Sequence, residues 1–358
     1  MGGPVISLGP LLVDLAGKSI APDERELLHS SAIGGVVLFS RNYESPEQLA
    51  SLTREIHALR SPPLLIAVDQ EGGRIQRFRL GFTALPSARA LGVHWEKDRA
   101  EARKLAQCSG WVAGLELRSA GLDICFAPVV DLWQKTSDVI GDRAFSSSPK
   151  AVTELALSWV RGLERGGVCA TLKHFPGHGG VPEDTHQAAA ADTRSMPDLV
   201  KRDLIPYQGL IGRLPNICVM TAHVLFPAID PRPASLSGYW IQTVLRKDMQ
   251  LRGAVISDDL TMHALDSHGS LAERARLALF AGSDLVLACN ARPALPTLLK
   301  SLRDYHNPVS RLRLMRLHRA QPLSRSNLMK MPAWHESVRQ LEAFQARSDL
   351  FSGGGGNG

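Results

Sequence analysis

The stretch from Ala170 to Gln187, ATLKHFPGHGGVPEDTHQ, gathers Lys173, His174, His178, Asp184 and His186 on a run of glycine and proline. Such residues leave regular structure at once, so the polar groups sit on a loop that starts at the end of an apolar strand. Asp184 stands two residues before His186. At that spacing a carboxylate can hydrogen-bond the imidazole and fix its tautomer, and the histidine can exchange protons near neutral pH. An isolated Asp-Thr-His reads more readily as an Asx turn with a surface histidine. Its place after KHFPGHGG favours the chemical reading.

A second group ends the apolar run of GAVISDDLTM, where Asp258 and Asp259 are adjacent. A carboxylate there can act as a nucleophile or stabilise an oxocarbenium ion. Either residue serves equally well as the cap of the following helix, and two adjacent aspartates allow one of each. Lys173 and His174 can bind an anionic or polyhydroxylated ligand; the alternative for the lysine is snorkelling at a rim. Asp69 with Arg77 and Arg143 would offer a carboxylate and two guanidiniums to sugar hydroxyls and carbonyls. For either arginine a surface ion pair is the plainer reading. The histidines and aspartates match no zinc spacing, since HExxH is absent, and no metal site is expected. No GxxxxGK[ST] or strand-linked GxGxxG occurs, so a nucleotide loop is not expected either.

These residues need elements that bring them together. Short apolar runs at Val5–Leu8, Gly35–Phe39, Leu64–Val68, Ile124–Ala127, Val168–Leu172, Ile217–Met220, Ala254–Ile256 and Asp284–Leu287 alternate with helical patterns. Helices are expected at Asp23–His29, Ser45–Leu59, Glu96–Ala120, Pro149–Arg165, Asp198–Gly212, Tyr239–Gln250, Leu271–Ala281 and Arg292–Arg303. The runs are apolar throughout, as strands covered on both faces should be. The repetition predicts a (β/α)8 barrel, with a doubly wound sheet as the alternative. Asp69, Asp131, Lys173, His174, His223, Asp258 and Asn290 all fall just past these runs, and in a barrel those ends converge on one mouth.

The chain has 358 residues, 44% hydrophobic and 21% charged, with a net charge of +6. That is the composition of a globular protein. The basic stretch Arg311–Lys330 lacks interleaved aromatics and reads as a solvated rim, not a nucleic-acid surface. Five scattered cysteines without CxxC spacing fit a reducing compartment. No basic n-region precedes the apolar stretch at the start, and no run approaches a membrane span. The expectation is a soluble cytoplasmic protein. Residues 1–305 are read as the barrel, 306–350 as a helical extension packed on it, and 351–358 as a flexible Gly-rich tail.

The segment Lys173–His186, KHFPGHGGVPEDTH, resembles the signature of glycoside hydrolase family 3 β-N-acetylglucosaminidases. VDQEGGRIQRF (Val68–Phe78), FAPVVD (Phe126–Asp131), GDRAF (Gly141–Phe145), TAHV (Thr221–Val224), DPRPASLS (Asp230–Ser237) and ISDDLTM (Ile256–Met262) resemble that family in the right order. The likeness runs from roughly residue 4 to 300 and is nearest the single-domain, cytoplasmic, peptidoglycan-recycling branch of Gram-negative bacteria. The resemblance implies a retaining exo-glycosidase on a (β/α)8 barrel. Asp258 would be the nucleophile and His186 the general acid/base, oriented by Asp184. Asp69, Arg77, Arg143, Lys173 and His174 would bind the terminal N-acetylglucosamine. The implied partner is a small-molecule muropeptide or amino sugar such as GlcNAc-1,6-anhydro-N-acetylmuramic acid, acted on by a monomer with no cofactor, nucleic acid or membrane. A β-glucoside or β-xyloside relative, a metal-dependent hydrolase on the same barrel and a non-catalytic sugar-binding protein are the alternatives.

Overall fold

Eight parallel strands close on themselves in chain order: β1 Leu11–Asp14, β2 Ile33–Leu38, β3 Leu65–Val68, β4 Ile124–Cys125, β5 Cys169–Phe175, β6 Cys218–Thr221, β7 Val255–Asp259 and β8 Leu285–Ala288. β1 pairs with both β2 and β8, which completes the ring. The computed structural model describes residues 8–135, 139–180, 190–214, 216–318 and 321–352. Among them no helix is long and apolar enough to cross a membrane.

The apolar runs are legible because each strand is covered twice. Leu12, Val37, Leu65, Ala67, Ile124, Cys169, Cys218, Met220, Ala254 and Ile256 pack together inside the barrel. Leu11, Val13, Val36, Ile66, Val68, Ala170, Leu172, Val219 and Val255 face the surrounding helices. Side chains alternate faces along a strand. The helices Arg99–Ser119 and Pro149–Gly166 lie unusually close on the outside. A Cβ on Gly110 would stand 2.0 Å from the Trp159 carbonyl oxygen, and one on Gly162 would stand 2.1 Å from that of Gln107.

Several expected boundaries shift. The first barrel strand is Leu11–Asp14 and not Val5–Leu8, of which residues 5–7 lie outside the described residues. Pro10 has no N–H for the ladder, and the register opposite Val286 and Ile33 starts at Leu11. β5 continues through Lys173 and His174 to Phe175, helped by a register shift between Leu172 and Phe175. β7 likewise extends through Asp258 and Asp259. The expected helix Glu96–Ala120 begins at Arg99, where Asp98 accepts from the Ala100 and Glu101 N–H groups. The expected Asp198–Gly212 helix is two, Met196–Val200 and Leu204–Ile211.

After the barrel come helices Pro308–Met315, Arg325–Leu328 and Pro332–Ser352. Leu314 and Leu317 close the barrel interior at its N-terminal pole. Asp284, at the start of β8, accepts from Ser310 Oγ at 2.6 Å, Arg313 at 3.0 Å and Arg246 at 2.6 Å. That buried carboxylate fastens the first of these helices beneath the barrel. Pro332–Ser352 packs on Arg99–Ser119.

Candidate active site

Strand parity places the acidic and basic groups. In β3 the lumen-facing series Leu65, Ala67 continues to Asp69 just past the strand; in β5 Cys169 shares its parity with Lys173; in β7 Asp258 follows Ala254 and Ile256 within a register shift at the end of the strand. The last member of each series stands at the C-terminal mouth, where apolar filling ends.

Lys173 Nζ lies 2.7 Å from Asp69 Oδ1 and 2.7 Å from Glu71 Oε1. Its side chain is 3% exposed, so it is a buried ammonium between two carboxylates and does not snorkel. Arg77 donates to Asp69 Oδ2 at 3.3 Å. Arg143 grips Glu71 with two parallel bonds of 2.9 and 2.8 Å, the fork geometry that suits guanidinium and carboxylate. The expected carboxylate and two guanidiniums thus come with a second carboxylate: Arg77 takes Asp69 and Arg143 takes Glu71.

The charges hold one another ionised. Burial would raise the Glu71 carboxyl, but Arg143 and Lys173 bring it down to about 2. Burial acts the same way on Asp69 and is outweighed by Lys173 and Arg77. Burial would lower the Lys173 ammonium; the two carboxylates raise it instead.

Backbone loops set the arginines. Gln70 Oε1 accepts from the N–H groups of Arg77 (3.0 Å) and Phe78 (3.1 Å), closing the hairpin of Gln70–Gly72 with Ile75–Gln76. Arg143 ends the short turn Gly141–Arg143. Arg74 Nε donates to Asp142 at 2.6 Å and ties that turn to the hairpin.

Asp131 organises the start of the KHFPGHGG segment. It accepts from the His174 N–H at 3.1 Å, His174 Nδ1 at 2.7 Å and the His178 N–H at 2.7 Å. Its side chain is fully buried. Burial would raise its carboxyl, and the two histidines bring it below its ordinary value. The 2.7 Å contact assigns the His174 proton to Nδ1, leaving Nε2 toward Arg143 at 3.5 Å. The Lys173–His174 and Phe175–Pro176 peptides are cis.

Asp258 and Asp259 have separate surroundings. Asp259 accepts from the N–H groups of Thr261 (3.1 Å) and Cys289 (3.2 Å). Burial raises its carboxyl. Its carbonyl accepts from His223 Nε2 at 2.9 Å, while His223 Nδ1 meets Ser235 Oγ at 2.7 Å. Asp258 accepts from the Asp259 N–H at 2.9 Å. It lies near enough to His178 for its charge to act there: burial and His174 lower that imidazole, and Asp131 and Asp258 oppose them. Asp184 and His186 lie outside the described residues.

Of the expected site residues, Asp69, Arg77, Arg143, Lys173 and His174 thus form one contiguous network. Residue types and spacing assigned no role to Glu71 or Asp131, which hold it together. Glu71 stands two residues past Asp69 at the end of β3, and its partner Arg143 is far away in sequence. Among the described residues no group of three or more His, Cys, Asp or Glu is arranged around a metal position.

Residues 9–316 match the glycosyl hydrolase family 3 N-terminal domain. The chain belongs to glycosyl hydrolase family 3. As a member it is a glycoside hydrolase. It is 50% identical over 337 residues to a beta-hexosaminidase of Alkalilimnicola ehrlichii, covering 93% of this chain and 96% of that one. It is 46% identical over 344 residues to a beta-hexosaminidase of Nitrosomonas eutropha, covering 96% and 97%. The solved structure of NagZ from Neisseria gonorrhoeae in complex with N-trifluoroacetyl-D-glucosamine superposes with a TM-score of 0.89 at 38% identity, covering 96% of this chain and 99% of that one. The family's fold and this chain's closed barrel agree.

Proposed function

We propose that this family 3 hydrolase is a retaining exo-β-N-acetylglucosaminidase. It removes terminal N-acetylglucosamine from peptidoglycan fragments such as GlcNAc-1,6-anhydro-N-acetylmuramic acid, with or without a stem peptide. The observation that supports this reading is Asp258 near the end of β7, close enough to His178 for its charge to act there, beside the Asp69–Lys173–Glu71–Arg143 network. The beta-hexosaminidase names of the relatives and the N-acylated glucosamine bound by the gonococcal structure support the substrate class.

In the first step the Asp258 carboxylate attacks the anomeric carbon as the bond to the leaving oxygen breaks, and His186 donates a proton to that oxygen. Asp184 supports the protonated imidazole. In the second step His186 takes a proton from water, water attacks the same carbon, and the bond to Asp258 breaks. Asp69, Arg77, Arg143, Lys173 and His174 bind the sugar; their mutual ion pairs fix the groups before the substrate arrives, so little ordering remains for binding. The proposed setting is the cytoplasm, and the acting species is a monomer. Residues 306–350 act as an extension of the barrel.

The test is hydrolysis of a chromogenic β-N-acetylglucosaminide beside the matching β-glucoside, with EDTA present. Turnover of the N-acetyl substrate alone is expected. Preference for the glucoside, or activity abolished by EDTA, would contradict the reading.

A further inference from the structure

The basic stretch Arg311–Lys330 takes no part in the catalytic mouth. Part of it meets the barrel beside Pro63, Asp123 and Gly167, which precede β3, β4 and β5. Between them lies a cavity of about 850 Å³, the size of a small-molecule site.

Arg54, His57, Arg118, His318 and Arg325 line this cavity, against the carboxylates of Glu47 and Asp123. Glu47 is an exposed residue in the first turn of the helix Pro46–Ala58. Asp123 is already engaged: it accepts from the Ile66 N–H at 2.9 Å and lies 3.2 Å from His57 Nε2 and 3.6 Å from His318 Nδ1. Arg118 Nε donates to the Gln321 carbonyl at 2.7 Å, and Arg325 donates to that of Gly81. Among the described residues none of Arg54, Arg118 and Arg325 pairs with a carboxylate, and the buried Arg325 Nη1 and His318 Nε2 have no hydrogen-bond partner. A buried donor left unmatched is costly. Several cationic donors around one cavity favour an anion of high charge, and guanidiniums match phosphate oxygens in pairs.

We propose that this cavity, on the outer wall of the barrel between the helix Pro46–Ala58 and the C-terminal extension, binds a small multiply charged phosphate compound. Arg54 and Arg118 would pair with the phosphate oxygens. Arg325 Nη1 would donate from the extension side. The basic segment then supplies one wall of a ligand site.

The experiment is calorimetric titration of the full chain with inorganic pyrophosphate at low ionic strength, with sodium chloride as the ionic control and citrate in parallel. One saturable site per chain is expected. Arg54→Gln and Arg118→Gln should each weaken it about tenfold or more, the effect of losing one charge-assisted contact. Both variants should keep the wild-type melting temperature and glycoside turnover, and Asp258→Asn should bind pyrophosphate like the wild type. Absence of saturable binding, binding as tight as the wild type's in both arginine variants, or loss of binding in Asp258→Asn would overturn the proposal. Tighter binding of citrate would overturn the assignment to phosphate.

Discussion

Lys173 reaches Asp69 across the barrel, Nζ to Oδ1 at 2.7 Å, although their strands are separated by β4. Only side chains that face the lumen at the same height can meet this way. The pair therefore marks the floor of the mouth, and Glu71, on the same ammonium at 2.7 Å, extends it toward Arg143.

Glu71 gives this network an acid limit. Its carboxyl is ordinarily near 4.5 and is held at about 2 in the folded chain. A depressed carboxyl contributes stability that is present above the ordinary value and lost as pH falls through the folded one. Stability to urea should therefore fall between pH 4.5 and 2, with up to about 3 kcal/mol from this group alone. Glu71→Gln should be less stable at neutral pH and should lose less across that window. Equal acid sensitivity of variant and wild type would contradict the assignment.

Asp131 should be costly to remove. Asp131→Ala leaves the His174 and His178 N–H groups and His174 Nδ1 without their buried acceptor. A loss of about 3–5 kcal/mol is expected, together with a fall in kcat/KM because His174 loses its anchor. Chemical denaturation and steady-state kinetics check both; a change below about 1 kcal/mol would show that the loop does not depend on this carboxylate.

The two adjacent aspartates should separate cleanly. Asp259→Asn keeps an acceptor for the Thr261 and Cys289 N–H groups but weakens both bonds. About 1–2 kcal/mol of stability should be lost while most turnover remains. Asp258→Asn should fold as the wild type and lose at least about three orders of magnitude in kcat. Thermal melts and kinetics of the two variants decide; the opposite pattern would exchange their roles.

His186 is testable through the leaving group. If it protonates the departing oxygen, His186→Ala should barely lower kcat/KM, which reports the first step, for an aryl glycoside whose phenol leaves readily, although kcat falls because the second step loses its base. For one with a poor leaving group kcat/KM should fall about 10²–10⁴-fold. Asp184→Ala should follow the same trend more weakly. A uniform loss of kcat/KM across the series would remove His186 from the acid role.

The barrel was legible because its strands are buried on both faces, so each reads as an unbroken apolar run. Reading those runs alone ended β5 and β7 too early, since Lys173, His174, Asp258 and Asp259 are polar residues within strands. A register shift between Ile256 and Asp259 breaks the period of two in β7, so hydrogen-bond partners and not alternation distinguish Asp258 from Asp259. The first strand was displaced because Val5–Leu8 is as apolar as Leu11–Val13, and only pairing with Ile33 and Val286 selects between them. Glu71 and Asp131 stayed without roles because their partners are brought in by other loops. No local spacing encodes such a contact.

The most direct test of the account is peptide mapping of the enzyme trapped with a slow 5-fluoro N-acetylglucosaminyl fluoride. The account predicts one sugar bonded covalently to the peptide containing Asp258, at the Asp258 carboxylate itself. A label on Asp259 or Asp69, or continued turnover of the trapping reagent with no covalent adduct, would contradict it.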